Sequence, residues 1–277
     1  MIPLLLTCQA GIFLLVLALG FRAARNDPDL NIENALRRSP RLIATSLLLV
    51  GLAAVTLSMQ FYDPFCLLFP LVLQLYATWA SWLILATLFG VVSGYGLSLA
   101  LARGHRQSRS LSIAVLLLQV AIALPCVRLL SPIASDLGAG DTRGGVVIQT
   151  HSSTCAAASL ANIARHFEFS LDEKGAAELL LTTLYGTSPG QMRFALEKLG
   201  ISFTTLDPSQ LSLAAVPPPA VLFVDHHALG RESHAVAYFG LTDDGYEIAD
   251  PLIGVVVWDE ESAGDRWHGN GISCFRR

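Results

Sequence analysis

Charged residues are scarce in this chain and unevenly placed. Only 14% of its 277 residues are Asp, Glu, Lys or Arg, whereas 53% are hydrophobic, and the mean hydropathy is +0.53. This apolar excess is larger than the core of a soluble domain needs, so it predicts a protein that is at least partly inserted in a lipid bilayer. The net charge of -4 offers no basic surface to a polyanion, and we therefore expect no nucleic-acid partner.

Cysteines are also few and irregularly spaced. There are five, an odd number that does not form a regular disulfide framework. No pair of Cys or His residues has the spacing of a known zinc site. Asp225, His226 and His227 are close in sequence, but we interpret them as part of a solvated loop. The sequence therefore predicts neither a metal site nor a cofactor site.

The apolar residues are concentrated in the first half of the chain, at residues 1–134. Four stretches there are about long enough to cross a hydrocarbon core, which needs about 20 residues: 2–21, 42–61, 76–102 and 111–130. Residues 65–102 contain no charged side chain, which is long for one span, but no polar turn divides them. We interpret this stretch as one span preceded by an interfacial segment. An all-α region of about four transmembrane helices is thus predicted.

The arginines predict the orientation of these helices. Five arginines lie between the first two predicted spans and three lie between the last two, whereas residues 62–65 carry no positive charge. Because positive loops stay in the cytoplasm, the amino terminus and everything after residue 134 are predicted to lie outside. The first span has its arginines after the apolar run, unlike a signal peptide, so we expect it to remain attached.

The composition changes at residues 135–145, which are rich in Gly and Asp and are predicted to form a linker. Residues 146–277 are then predicted to form one soluble domain. Its first half has helical patterns at 155–167, 172–184 and 189–199. Its second half has short strand patterns at 201–205, 220–224, 235–241, 246–248 and 254–258. Helices followed by an antiparallel sheet predict an α+β domain.

Four residues of this domain predict a papain-like cysteine peptidase. Cys155 follows Thr154, a candidate N-cap, so the positive end of the helix macrodipole would favour its thiolate form. His234 would carry the proton, Asp250 would orient the imidazole, and Gln149 would stabilise the oxyanion. A lone cysteine in an alanine-rich helix is more often a packing residue, but the combination favours catalysis. We interpret Cys274 as structural.

The spacing of these residues resembles that of a known family. Gln149 stands six residues before Cys155, and Asp250, followed by a proline, stands sixteen residues after His234. With residues 186–188 and 195–200 between them, they are similar to the bacteriocin-processing peptidase domain of double-glycine-leader exporters. The resemblance covers residues 145–258. It implies a papain-like fold and cleavage of a leader peptide after a Gly-Gly or Gly-Ala pair.

The chain departs from this family at several positions. Thr154 and Ala156 stand where family members usually have Asp and Gly beside the cysteine, and Ala235 stands where a bulkier residue is common. No Gly-x-x-x-x-Gly-Lys-Ser/Thr motif is present, so we expect that the chain is not itself an ATP-driven exporter. The exporters hold this domain in the cytoplasm, whereas the arginine loops predict the opposite side.

We therefore predict a membrane-anchored cysteine endopeptidase of a bacterial inner membrane, with its peptidase domain on the extracytoplasmic side. Its expected partners are a peptide or protein substrate and the lipid bilayer, and a separate ABC-type exporter is a further candidate. One alternative is a catalytically silent peptide-binding domain that assists such an exporter. A transporter with an accessory domain is disfavoured because the predicted spans contain almost no ionisable residue.

Overall fold

The computed structural model describes residues 2–276 apart from 28, 31–33, 62–65, 104–109, 111–112, 115–116, 118–120, 122–127, 139, 208–211 and 227–229. The chain divides into two compact units. The first comprises Met1–Leu68 and Tyr76–Ser131, and the second comprises Phe69–Leu75 and Pro132–Arg277. The short amino-terminal segment of the second unit is thus separated in sequence from the rest of that unit.

Long apolar helices dominate the first half of the chain. They are α1 (Ile2–Asn26), the short α2 (Ala35–Arg38), α3 (Pro40–Phe61) and α4 (Leu71–Arg103). Two stretches among the described helices, Pro40–Met59 and Leu71–Ala102, are long and apolar enough to cross a membrane. Helix α4 runs without a break from Leu71 to Arg103 and so includes the whole predicted span 76–102. Most of the predicted span 111–130 lies outside the described residues, so the count of four spans stays a prediction.

A small hairpin lies near the start of the longer segment of the second unit, Pro132–Arg277. Strand β1 (Asp141–Arg143) pairs antiparallel with β2 (Val146–Ile148). The turn between them is Gly144–Gly145, and both glycines have a positive φ, 58° and 84°. Such turns match the right-handed twist of the two strands and favour glycine. The hairpin and a 3-10 turn at Ala134–Asp136 lie partly within residues 135–145, so part of the predicted linker has regular structure.

Three helices follow the hairpin, namely α5 (Cys155–His166), α6 (Glu173–Leu180) and α7 (Pro189–Lys198). The start of α7 has a capping box, in which Ser188 and Gln191 satisfy each other's backbone N–H groups. Helix α6 ends four residues before its predicted end, because Leu181 adopts the left-handed conformation with φ 52° and ψ 40°. The three predicted helices are therefore present, with one shortened.

Six antiparallel strands make the sheet, in the order β3-β8-β4-β5-β6-β7. They are β3 (Ser202–Thr205), β4 (Ala220–His226), β5 (Gly230–Thr242), β6 (Gly245–Asp250), β7 (Gly254–Trp258) and β8 (Trp267–Phe275). Alternate residues point to opposite faces, so Ala235 and Ala237 pack with the helices while Val236 and Tyr238 belong to a second core. The predicted α+β architecture is confirmed.

The last two elements were not predicted from the sequence. Helix α8 (Glu260–Arg266) leads into β8, which lies between β3 and β4 in the sheet. Strand β8 contains Gly269, Asn270 and Gly271, which weaken the alternating pattern that identifies strands. A Cβ atom at Gly271 would lie only 2.6 Å from the carbonyl oxygen of Val221, so the close approach of the two strands requires glycine there.

Candidate active site

Helix α5 carries Cys155 at its first position and packs against the sheet through small side chains. Its alanines at 156, 157, 158, 161 and 164 are buried. The hydroxyl of Ser159 donates to the carbonyl oxygen of Ala235 at 2.9 Å, and this acceptor directly follows His234 in β5. The contact fixes the helix relative to the strand. It thereby brings the thiol-bearing end of α5 next to the histidine.

Thr154 occupies the predicted N-cap position but does not cap the helix with its side chain. Its hydroxyl lies 2.7 Å from the carbonyl oxygen of His151 and 2.5 Å from Oε1 of Glu173, and it can donate to either. The positive end of the helix is therefore not covered by a side-chain oxygen of Thr154. It remains close to the sulfur of Cys155.

His234 and Asp250 form a buried pair on neighbouring strands. Nε2 of His234 lies 2.9 Å from Oδ1 of Asp250, and their relative exposures are 6% and 5%. The backbone N–H of Leu252 donates to the same Oδ1 at 2.9 Å. Burial raises the pKa of Asp250, but the hydrogen bonds from His234 and Leu252 outweigh it and leave that pKa below its ordinary value.

Cys155 completes the arrangement, because its side chain interacts with the imidazole of His234 and favours the protonated ring. Because Nε2 of His234 is bound to Asp250, Nδ1 is the ring nitrogen left for the sulfur. Burial lowers the pKa of His234, but hydrogen bonds to Asp250 and Cys155 outweigh this and raise it to about 9. The imidazole is thus held as an imidazolium beside a half-buried thiol at neutral pH.

Gln149 lies where β2 leads into the loop before Cys155. Its backbone N–H donates to the carbonyl oxygen of Pro251 at 2.9 Å, which links it to the residue after Asp250. Its side-chain Nε2 donates to the carbonyl oxygen of His151 at 3.1 Å, and its Oε1 is buried with no partner among the described residues. The structure therefore places all four predicted residues around one junction of helix and sheet.

Asn162 is a residue of this region that the sequence analysis missed. Its Oδ1 accepts from the backbone N–H of Val147 at 2.7 Å, and its Nδ2 donates to the carbonyl oxygen of Val147 at 3.1 Å. The side chain is 4% exposed. The amide of Asn162 therefore binds both backbone groups of Val147, as a neighbouring strand would. It holds the segment that leads to Gln149. The signal available in the sequence was an asparagine within a helix made mostly of alanine and other apolar residues.

Two other predictions concern side chains around the site. Cys274 is buried, and burial raises the pKa of its thiol to about 12, so it is a poor nucleophile. The sequence predicts that His226 is part of a solvated loop, but it is the last residue of β4, and its ring centroid lies 5.7 Å from that of His234. His227 lies outside the described residues.

No group of three or more His, Cys, Asp or Glu side chains that could hold a metal ion occurs in the described part of the chain. Asp225 and His268 instead bind each other, with Nε2 and Oδ2 3.0 Å apart. The second carboxyl oxygen of Asp225 accepts from the backbone N–H of Glu232 at 2.8 Å. The carboxylate of Asp225 is therefore already engaged by protein groups.

Comparison with known proteins gives a family for this domain. Residues 143–277 match the peptidase C39 family. No curated protein matches the chain in sequence. Among solved structures, the chain is 19% identical to a double glycine motif protease from an AMS/PCAT transporter in complex with the leader peptide. That likeness covers 50% of this chain and 98% of the other, with a TM-score of 0.43.

Two further solved structures are similar to the chain. One is the peptidase domain of Streptococcus ComA, a bifunctional ABC transporter involved in a quorum-sensing pathway, with 22% identity over 47% of this chain and 96% of the other and a TM-score of 0.42. The other is the peptidase domain of Streptococcus mutans ComA, with 22% identity over 47% and 98% and a TM-score of 0.37. The family match confirms, for residues 143–277, the resemblance predicted from the sequence, and this part of the chain forms a cysteine peptidase domain.

Proposed function

We propose that this chain is a membrane-anchored cysteine endopeptidase that cleaves a leader or a small exported peptide, with Cys155 as nucleophile. The observation that carries the proposal is the buried pair of His234 and Asp250, with Nε2 and Oδ1 2.9 Å apart, beside the half-buried thiol of Cys155. It combines a thiol at a helix amino terminus with an imidazole whose pKa is raised to about 9. Such a pair supplies both a sulfur nucleophile and a proton for the leaving group.

The first half of the reaction breaks the peptide bond. The thiolate of Cys155 attacks the carbonyl carbon, and a C–S bond forms while the carbonyl oxygen becomes an oxyanion. The backbone N–H of Cys155 and the amide of Gln149 stabilise that oxygen. The oxyanion then collapses, the C–N bond breaks, and the imidazolium of His234 gives its proton to the departing amine. A thioester on Cys155 remains.

The second half releases the other product. Water attacks the thioester, and the neutral imidazole of His234 takes one of its protons. The C–S bond breaks, the carboxylic acid leaves, and the thiolate and imidazolium are restored. Asp250 keeps the ring in the required orientation, because its Oδ1 holds Nε2 throughout while Nδ1 exchanges the proton.

The test uses purified full-length protein in detergent and synthetic peptides that contain a Gly-Gly or Gly-Ala pair. Cys155→Ala should reduce cleavage by roughly a million-fold, the scale expected when a nucleophile is removed. Cys274→Ala is the matched control, because it removes a buried cysteine that takes no part in the proposed reaction. Continued proteolysis by Cys155→Ala would rule out the mechanism.

Labelling with iodoacetamide separates this proposal from the silent peptide-binding domain. The wild-type protein should be alkylated at Cys155 and not at Cys274, whose pKa is raised to about 12. A protein that binds these peptides without cleaving them, and whose Cys155 resists iodoacetamide, would support the silent domain instead.

The location of the peptidase domain outside the cytoplasm belongs to the same proposal. It is supported by the arginines between the predicted spans, five in one loop and three in the other. A phosphatase that is active only outside the cytoplasm, fused after the last residue, should be active. An inactive phosphatase together with a fluorescent cytoplasmic fusion at the same position would place the domain inside.

A further inference from the structure

Glu173 is a buried carboxyl group that the reaction described above does not use. It is the first residue of α6 and is only 1% exposed. Its neighbour Asp172 is exposed and caps α6, accepting from the backbone N–H of Gly175 at 2.7 Å. Glu173 is therefore not needed to cap its own helix. A buried carboxyl group costs stability unless it is fully hydrogen-bonded, so its partners indicate its role.

The partners of Glu173 all lie in the loop that connects Gln149 to Cys155. Its Oε1 accepts from the backbone N–H of Thr150 at 2.7 Å, and its Oε2 accepts from the hydroxyl of Thr150 at 2.7 Å. The hydroxyl of Thr154 lies 2.5 Å from Oε1. The two tethered residues are the one directly after Gln149 and the one directly before Cys155. One carboxyl group thus holds both ends of the loop.

This loop sets the distance between the two groups proposed to bind the oxyanion. The amide of Gln149 is at its start and the backbone N–H of Cys155 is at its end. Within the loop, Nε2 of Gln149 and the hydroxyl of Thr154 both approach the carbonyl oxygen of His151, at 3.1 Å and 2.7 Å. Oxyanion stabilisation depends on donors fixed in advance, and a displacement of about 1 Å can cost about 100-fold in rate.

We propose that Glu173 is a positioning residue, which holds the loop from Gln149 to Cys155 so that its two donors converge on the oxyanion. The inference rests on the proposed peptidase function. It differs from a purely structural role, in which Glu173 would only attach α6 to the rest of the domain. The two roles predict different reactivity of Cys155. Peptide cleavage by the thiolate forms an oxyanion, whereas alkylation of the same thiolate does not.

The experiment compares amide cleavage with alkylation in the variant Glu173→Gln. Alkylation by iodoacetamide displaces iodide from a methylene carbon and needs no oxyanion donors, whereas cleavage of a Gly-Gly peptide does. The glutamine side chain keeps the shape but presents an NH2 group to donors of Thr150, so the loop should shift. We expect kcat to fall by roughly 100-fold, with KM and the rate of alkylation of Cys155 almost unchanged.

Asp172→Ala is the matched control, since it removes the cap of the same helix without contacting the loop. It should lower the midpoint of thermal unfolding and leave kcat unchanged. Thr150 is exposed and gives a second pair of variants that should fold. Thr150→Val loses the hydroxyl bound to Glu173 and should reproduce part of the fall in kcat, whereas Thr150→Ser should restore it.

Two results would overturn the inference. One is unchanged cleavage by Glu173→Gln, and the other is a loss of alkylation in proportion to the loss of cleavage, which would indicate general loosening of the site. Failure of the peptidase proposal itself would be seen separately, as no cleavage by the wild-type protein or continued cleavage by Cys155→Ala.

Discussion

Nε2 of His234 lies 2.9 Å from Oδ1 of Asp250 although both side chains are almost fully buried. Each group would lose its charge on burial alone, since burial lowers the pKa of His234 and raises that of Asp250. Their mutual hydrogen bond, together with the N–H of Leu252 at Asp250 and the thiol of Cys155 at His234, outweighs the effect of burial on both groups. The pair therefore stays charged inside the domain, and this has consequences for stability and activity.

Stability should fall as the pH rises through the range above neutrality. The pKa of His234 is about 9 in the folded protein, against an ordinary value of 6.5, so folding favours the protonated form. Its contribution is fully present below pH 6.5 and is lost as the pH rises through about 9. We expect the midpoint of thermal unfolding to fall across that window. The fall should be smaller in His234→Asn, and equal falls in both proteins would contradict this assignment.

The pH profile of cleavage should have a basic limb near pH 9, because the reaction needs protonated His234. Asp250→Asn keeps an oxygen that can accept from Nε2 of His234 but removes the negative charge that helps to raise this pKa, while burial continues to lower it. We expect the basic limb to move to lower pH and kcat to fall by about 100- to 10,000-fold. The measurement is kcat/KM from about pH 6 to about pH 10, a range that includes the pKa of His234 in the folded protein.

Asp259→Asn is the control for this variant. Asp259 caps α8 by accepting from the backbone N–H of Ser262 at 2.8 Å, and asparagine is an equally good cap. Its pH profile should match that of the wild-type protein. A basic limb that stays near pH 9 in Asp250→Asn would show that another group titrates there.

Gln149→Ala should affect the rate more than binding. Removing one oxyanion donor typically lowers kcat by about 100- to 1,000-fold. Because the donor acts on charge that develops in the transition state, KM should change little. Steady-state cleavage of a Gly-Gly peptide tests this, and alkylation of Cys155 should continue at the wild-type rate. A rise in KM with unchanged kcat would instead place Gln149 in substrate binding.

Asn162→Ala should destabilise the peptidase domain. The substitution leaves the buried N–H and carbonyl groups of Val147 without their partners, at a cost of about 1–3 kcal/mol for each unsatisfied group. Denaturant unfolding of the purified protein measures the loss. Arg165→Ala, an exposed change on the same helix, should leave the free energy of unfolding nearly unchanged. Equal stability of the two variants would contradict the role of Asn162.

Sequence patterns predicted the helices and most strands of the domain because their apolar residues recur locally. The capping residues around α7 and the turn between β5 and β6 are also local signals. Strand β8 was missed because its glycines break the pattern, and its place between β3 and β4 depends on strands far away in sequence. The early end of α6 was missed because the residue in the left-handed conformation is Leu181, and not the glycine or asparagine that usually indicates such a helix end.

For the site, the sequence predicted four residues, Gln149, Cys155, His234 and Asp250, and the structure places them around one junction of helix and sheet. Their roles in catalysis stay a prediction. Composition alone predicted a membrane region. The supporting contacts depend on the packing of distant elements: Ser159 with Ala235, Asn162 with Val147, and Glu173 with the loop before Cys155. Burial of the histidine and carboxylate, and the ring nitrogen left for the sulfur, likewise arise only when helix and sheet pack together, because desolvation and hydrogen bonding are properties of the whole fold.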